Sequence, residues 1–480
     1  MVALPPLETD AAVADRPHTG PPGGRRTAPD ALLQLPPWRA IVRLATPTTF
    51  VMLIAATSNV LQTYYVSRLG SDAIAAIALV FPVSMLAITA MGGGIGGGAA
   101  AAVARALGAG RRQDAVAVAE HALALSVAIG VLFGALILAG APTLFHLMGG
   151  RGAVLDNATL IARVLFGGAV ITFVGSMFDS VLRGEGNVRV AAIWSSTSLL
   201  LQIALTPLLM FVLHLGLVGA PVAVLLSQFL ATVPRARYVL GGRGIVHPRT
   251  LPRRPARKPL GQILRVGIPA SLSTMINYLG LAVLTGILAR LGPADLAAYG
   301  LATRLDFLLL TFVYGFGAAV LTLVGLTTGA GRPERAMHYV TTAGALIIAV
   351  LLVPAAVLWR RPQLWLDIFT NDAAIHAVGA HYFRIIGPSY PFVGVSMVLT
   401  FAFQGLGRAT APLAWMVVRV AGILAAATLC TRVFGLGDRA VFATVAIANV
   451  ASAAVLCWLF GRARRRMRGP VVAAHPTALG

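Results

Sequence analysis

Charge is what this chain has least of. Only 11% of its 480 residues are charged, against roughly a quarter in an average soluble domain. Hydrophobic residues make up 58%, and mean hydropathy is +0.83. That balance excludes an ordinary water-soluble globule and predicts an all-α integral membrane protein. Acidic residues are scarcest of all, 16 against 38 Lys and Arg. Cysteine is nearly missing: Cys430 and Cys457 lie in apolar runs without metal-like spacing, so no disulfide or zinc framework is expected. Residues 1–43 lack a compact apolar core followed by a small-residue cleavage site, which argues against a secretory leader. Rich in Pro, Gly and Arg, they read as a disordered cytoplasmic tail.

What the chain does have is long apolar runs, arranged twice over. Pro47 and Pro269 differ by 222 positions, as do Arg68 and Arg290, Gly70 and Gly292, and Leu79 and Leu301. After the loss of one residue, Gly110 and Gly331 differ by 221, as do Gly184 and Gly405, and Trp194 and Trp415. A register held over so much chain marks an internal duplication. Each copy contains six segments long enough to cross a hydrocarbon core of roughly 30 Å. They fall near 44–67, 73–103, 122–148, 164–182, 190–213 and 215–233, then 266–289, 295–328, 337–358, 377–404, 409–431 and 440–460. The predicted organisation is an N-terminal six-helix lobe over 44–233, a basic cytoplasmic linker over 234–262, a C-terminal six-helix lobe over 263–460, and a basic cytoplasmic tail over 461–480.

The basic residues give an orientation. With the N-terminus inside, 27 Lys and Arg fall on the cytoplasmic side and eight on the other, with Arg304, Arg384 and Arg419 inside spans. Both termini are expected in the cytoplasm and the protein in a bacterial inner membrane as a multi-pass monomer. The net charge of +22 belongs to these loops and tails, where it meets lipid headgroups. No basic and aromatic module accompanies it, so no nucleic-acid partner is expected. Met91 to Gly98 is too poor a phosphate loop for ATP, having no preceding strand and no following Lys-Ser or Lys-Thr. Its glycines suit close helix approach and bending instead.

An even number of spans per copy puts both copies in the membrane with the same polarity, related by a pseudo-twofold along the membrane normal. Secondary transporters use such paired lobes for alternating access. An integral membrane enzyme fits less well, because His121, His146, His214, His247, His338, His376 and His381 are scattered without a supporting carboxylate.

The motifs carry a resemblance. Leu61 to Gly70, Ala104 to Arg111, Leu182 to Asn187, Ala289 to Gly292 and Val324 to Ala336, taken together with their order and duplication over about residues 40–460, resemble the multidrug and toxic compound extrusion (MATE) transporters, within the wider family of multidrug, oligosaccharidyl-lipid and polysaccharide exporters. The resemblance implies a twelve-helix exporter of organic, often cationic, compounds in exchange for protons or sodium ions, with no cofactor. The wider family leaves an alternative, an exporter or flippase of a lipid-linked or anionic substrate. Gln62, Thr206 and Asn277 stand where many or some members carry an acid, and Val393 falls near another such position.

The candidate site starts from the acids inside spans, Asp179 and Asp306. Asp306 lies roughly 16 Å into its span at 1.5 Å per residue, a depth where a carboxylate is functional by default. A desolvated carboxylate that takes either a proton, a sodium ion or a cationic substrate exchanges one for another. Asn277 is its expected companion in ion coupling. Asp179 sits four residues before Arg183 and reads first as half of a helical ion pair, making it a secondary carboxylate. Asn59, Gln62, Tyr64, Met275, Tyr278, Arg304 and Tyr314 are the expected substrate-cavity residues, with Gln202, Gln228, Arg384 and Arg419 as further polar candidates and Met85, Met177, Phe307, Phe312 and Met397 as an adaptable apolar wall. Small organic substrates and membrane lipids are the expected partners.

Overall fold

A computed structural model describes residues 32–248 and 256–468. The expectations for residues 1–31, for 249–255 within the linker and for 469–480 in the tail lie outside the described residues. Among those described there is no strand, and twelve helical spans follow one another. They are α1 (Pro37–Ser67), α2 (Ser71–Gly108), α3 (Arg112–Leu147), α4 (Gly152–Gly167 and Ala169–Gly184), α5 (Val188–Val212) and α6 (Gly216–Leu240) in the first lobe. The second lobe has α7 (Arg257–Ala289), α8 (Pro293–Gly329), α9 (Pro333–Arg360), α10 (Ala373–Gly405), α11 (Thr410–Arg432) and α12 (Asp438–Arg468).

Several limits move from those that hydropathy suggests. The fourth span, expected over 164–182, begins at Gly152 and bends by 49° at Gly168. Asp156, Asn157 and Arg163 dilute the hydropathy of its first half, and the side chain of Leu225 fills the space a Cβ on Gly168 would occupy, 2.4 Å away. Helix α1 reaches back to Pro37, into the stretch expected as tail, because Ala40 and Ile41 are fully buried. At the linker, α6 continues through Pro234 to Leu240 and α7 starts at Arg257. Pro234 lies inside α6 and does not end it. The tail expected from residue 461 is helical to Arg468.

Two spans widen locally. Ala90–Ile95 in α2 and Leu208–Val212 in α5 are π-helical, the second directly after Pro207, whose ring cannot fit the regular hydrogen-bond ladder. The glycine run of α2 does two jobs. Gly92 and Gly93 face open space, whereas a Cβ on Gly94 would lie 1.9 Å from Ser271 Oγ and one on Gly98 2.4 Å from the carbonyl of Ile263.

The duplication is visible in the packing. Gly94 meets Ser271 as Gly315 meets Thr49, and Gly108 meets the Leu326 carbonyl as Gly329 meets the Arg105 carbonyl. Each pair is the other under the sequence offsets of 221 and 222. Ile41 of α1 packs in the C-lobe core, and Ile263 of α7, 222 positions on, packs in the N-lobe core. The first helix of each lobe therefore leans across onto the other. These contacts, with hydrogen bonds from Ser271 to Ala90, Thr322 to Arg183, Arg105 to Gln404 and Gly405, and Arg335 to Leu35, occupy one end of the molecule. Toward the loops at Arg68–Gly70 and Arg290–Gly292 the lobes diverge around a cavity of about 910 Å³.

Candidate functional site

The cavity takes its walls from both lobes. Asn59 and Gln62 from α1, Gln202 from α5 and Gln228 from α6 line the N-lobe side. Asn277 and Tyr278 from α7, Asp306, Phe307 and Tyr314 from α8, Met397 from α10 and Arg419 from α11 line the C-lobe side. Tyr314 stacks edge-on to Phe401 with ring centroids 5.8 Å apart, close to the floor at Ala100 and Leu321.

Asp306 is held by phenols. Tyr382 Oη donates to its Oδ2 at 2.5 Å and Tyr390 Oη to its Oδ1 at 2.7 Å. Tyr299, seven residues earlier on α8, packs its ring edge-on against Tyr382 at 6.0 Å. All three rings are at most 5% exposed. Among the described residues no Lys, Arg or His lies within ion-pair distance of Asp306. Both carboxylate oxygens thus have neutral donors, and the negative charge has no fixed counter-charge. Such a group favours an arriving cation by Coulomb attraction that its half-buried setting screens less than bulk water would. Asn277 lines the same cavity from α7. The groups that bond Asp306 are the tyrosines of α10, with no hydrogen bond to Asn277 among the described residues.

Asp179 lies in a different setting. Ser195 Oγ donates to its Oδ2 at 2.8 Å, and Arg235 Nε lies 3.3 Å from its Oδ1. The partner expected from spacing, Arg183, instead donates to Ser180 Oγ at 2.9 Å. The ion pair is made with Arg235 and not with Arg183, four residues on along the same helix. Arg235 was expected among the linker charges, yet it is 2% exposed inside α6. Its ion-pair geometry is not that of an aligned hydrogen bond: Asp179 Oδ1 and Arg235 Nε both lack a hydrogen-bond partner. Asp179 and Arg183 both reach the cavity.

Three expected cavity residues lie elsewhere. Arg304 is exposed on the outer side of α8 with its guanidinium 5.9 Å from the Phe369 ring, because residues two apart on a helix project about 200° from each other. Tyr64 is 50% exposed and bonded to Arg68, one turn on. Met275 is 46% exposed, two residues from the cavity-facing Asn277 on the far side of α7. Of the wider set, Met177 is fully buried in the N-lobe core, Phe312 is not part of the lining, and Arg384 borders a small open pocket with Asp367 and His376. Sequence reasoning passed over Tyr299, Tyr382 and Tyr390. The usable signal was spacing, since residues seven or eight apart share a helical face.

Comparison with known proteins follows the same outline. The MatE family model matches residues 47–208 and again 269–429. An FAD transporter of Shewanella oneidensis is 25% identical over 389 residues, 78% of this chain and 84% of its own length. The multidrug export protein MepA of Staphylococcus saprophyticus is 24% identical over 374 residues, 77% of this chain and 82% of its own. Among solved structures, a MOP superfamily transporter from Pyrococcus furiosus superposes with a TM-score of 0.87 at 27% identity, covering 93% of this chain and 100% of that one. An outward-facing multidrug resistance MATE family transporter gives the same four values.

Proposed function

The chain belongs to the MATE family of membrane transporters, with both halves matched, and on that premise we propose that it exports organic cations in exchange for a proton or sodium ion that competes for Asp306. The coarse part, a drug-efflux transporter of this family, stands on its relatives. The exchange reading rests on one observation: a carboxylate inside the cavity, bonded by two phenols and without a fixed cation among the described residues.

One site that accepts a single positive charge is enough for antiport. With the ion bound, Asp306 is neutral and releases an organic cation; with the organic cation bound, the ion is excluded. Coupling is then the reciprocal effect of each ligand on the other. Tyr382 and Tyr390 hold the carboxylate at the wall so that either ligand meets it in one place. The basic loops and linker support cytoplasmic termini in an inner membrane. In that orientation the divergent end of the lobes faces outward, a releasing conformation for an exporter.

The test uses proteoliposomes loaded with a cationic dye and given a proton gradient or a sodium gradient separately. One gradient is expected to drive export by the parent, and Asp306→Asn to lose at least about 100-fold of that driven rate, as removal of the one exchangeable charge requires. Equal driven rates in parent and variant would remove Asp306 from coupling.

A further inference from the structure

We propose that the exported compound carries an anionic group together with its cationic centre, and that Arg419 on α11 is the subsite for that anion, a carboxylate or phosphate. The inference deepens the reading of the cavity given above and rests on it for the cationic centre.

Arg419 sits nine positions past Thr410, which begins α11, about 14 Å along the helix at 1.5 Å per residue. It lines the cavity at membrane depth. Among the described residues no carboxylate lies within ion-pair distance of its guanidinium. One terminal nitrogen donates to Asn449 Oδ1 at 2.6 Å, the other rests 3.9 Å from the Met416 sulfur, and Nε is buried with no acceptor among the described residues. Asn449 is itself fixed, its amide nitrogen donating to Ser389 Oγ at 2.9 Å. Beside it, Trp415 lines the cavity and donates to Ser452 Oγ at 3.1 Å.

The fork is therefore oriented by a neutral amide and left uncompensated. Helix packing does not call for this, since Asn449 could join α11 to α12 through any neutral donor without placing a charge in the membrane. A guanidinium presents parallel N–H groups that match two oxygens of a carboxylate or phosphate. The charges around the cavity agree. Arg183 and Arg419 face Asp179 and Asp306, and Arg235 stands behind Asp179, so arginines outnumber carboxylates. A cavity for simple cations gains nothing from a second unpaired cation. A compound with a cationic centre for Asp306 and an anion for Arg419 satisfies both.

The experiment titrates the purified full-length protein, in lipid-free detergent, with rhodamine B, a zwitterion at neutral pH, and with its ethyl ester, a cation with the same ring system. The parent is expected to bind the zwitterion about tenfold more tightly or better. Arg419→Met should lower zwitterion affinity by about tenfold while the ester stays within about twofold, and Arg419→Lys should fall between, keeping the charge without the fork. Asn449→Leu, which leaves the guanidinium but frees its orientation, should weaken the zwitterion alone. An unchanged ratio in Arg419→Met, equal loss of both dyes, or no zwitterion binding by the parent would overturn the subsite. Lipid headgroups carry the same phosphate oxygens, so the titration is repeated with added phosphatidylglycerol. Abolition of the zwitterion preference by that lipid would reassign the site to a headgroup and overturn it as well. Gradient-driven export is scored separately: dyes that bind in the expected ratio but are never exported contradict the transport reading, whereas driven export of the ester without any Arg419 effect on the zwitterion contradicts the subsite alone.

Discussion

Two carboxylates inside spans meet opposite fates, and their neighbours decide which. Asp306 is met by phenols that leave its charge available, and Asp179 by Arg235 and Ser195, which consume it. Losing one phenol removes one neutral donor from the site, so Tyr390→Phe should lower ion-driven export by about tenfold while the protein still inserts, measured in the same liposomes. Breaking the buried pair is a matter of stability. Arg235→Met should cost about 3–5 kcal/mol by leaving the buried Asp179 without its ion-pair partner, and adding Asp179→Asn should restore part of it. Melting curves of the two variants check this; equal losses in single and double variants would mean the pair carries no coupling. Asp306 is legible in the sequence as a lone acid deep in an apolar run. Arg235 is not, because a charge six residues before a Gly-Gly pair reads as loop until the helix is seen to run on to Leu240. The tyrosines are hidden for another reason: a hydroxyl carries no hydropathy penalty large enough to mark it as a partner.

At the level of elements, the closed end depends on backbone lying against backbone. A Cβ on Gly108 would stand 2.0 Å from the Leu326 carbonyl, and one on Gly329 2.1 Å from the Arg105 carbonyl. Gly108→Val should therefore hold α2 and α8 apart and lengthen distances between spin labels on the two lobes at that end, with the cavity end less affected. Unchanged label distances would show that the junction yields easily. The linker is docked just outside the spans. Glu185, 1% exposed, accepts from the backbone N–H groups of Ile245 and Val246 at 3.2 and 2.9 Å, while Arg112 donates to the Ile245 carbonyl and Ala256 N–H to His121 Nε2. Burial outweighs these bonds and pushes the Glu185 carboxyl up to about 7 from its usual 4.5. The folded state thus binds the proton more tightly than the unfolded chain does, so this group's contribution to stability is full at low pH and declines as pH rises from about 4.5 to about 7. The decline amounts to about 3 kcal/mol at most. Glu185→Gln should lose that decline, and the melting temperatures of parent and variant at pH 5 and pH 8 measure it. Element existence was legible from apolar runs, and element limits were not: proline and basic residues look like stops in sequence, whereas in α6 and α12 the helix carries them through.

For the whole molecule, duplication supplies the architecture and its divergence supplies the chemistry. The repeat is plain in the sequence offsets and returns as the exchanged contacts Gly94 with Ser271 and Gly315 with Thr49. What the offsets do not convey is how the lobes have parted: among the described residues the C-lobe keeps a half-buried acid without a counter-charge and a guanidinium without a carboxylate, and the N-lobe an ion pair between Asp179 and Arg235. Two lobes that touch at one end and diverge at the other leave the cavity one opening, and under the proposed exchange the ligand at Asp306 biases which state is held. The central claim is competition for that one charge. Its most direct measurement is the affinity of the purified protein for a cationic dye across pH at fixed sodium, and across sodium at fixed pH, for the parent and for Asp306→Asn. In one of the two series the dye dissociation constant is expected to rise about tenfold for each tenfold rise in the competing ion, as one-for-one exchange demands, and the variant is expected to be flat in both. A parent indifferent to both ions, or a variant with the parent's dependence, would contradict it.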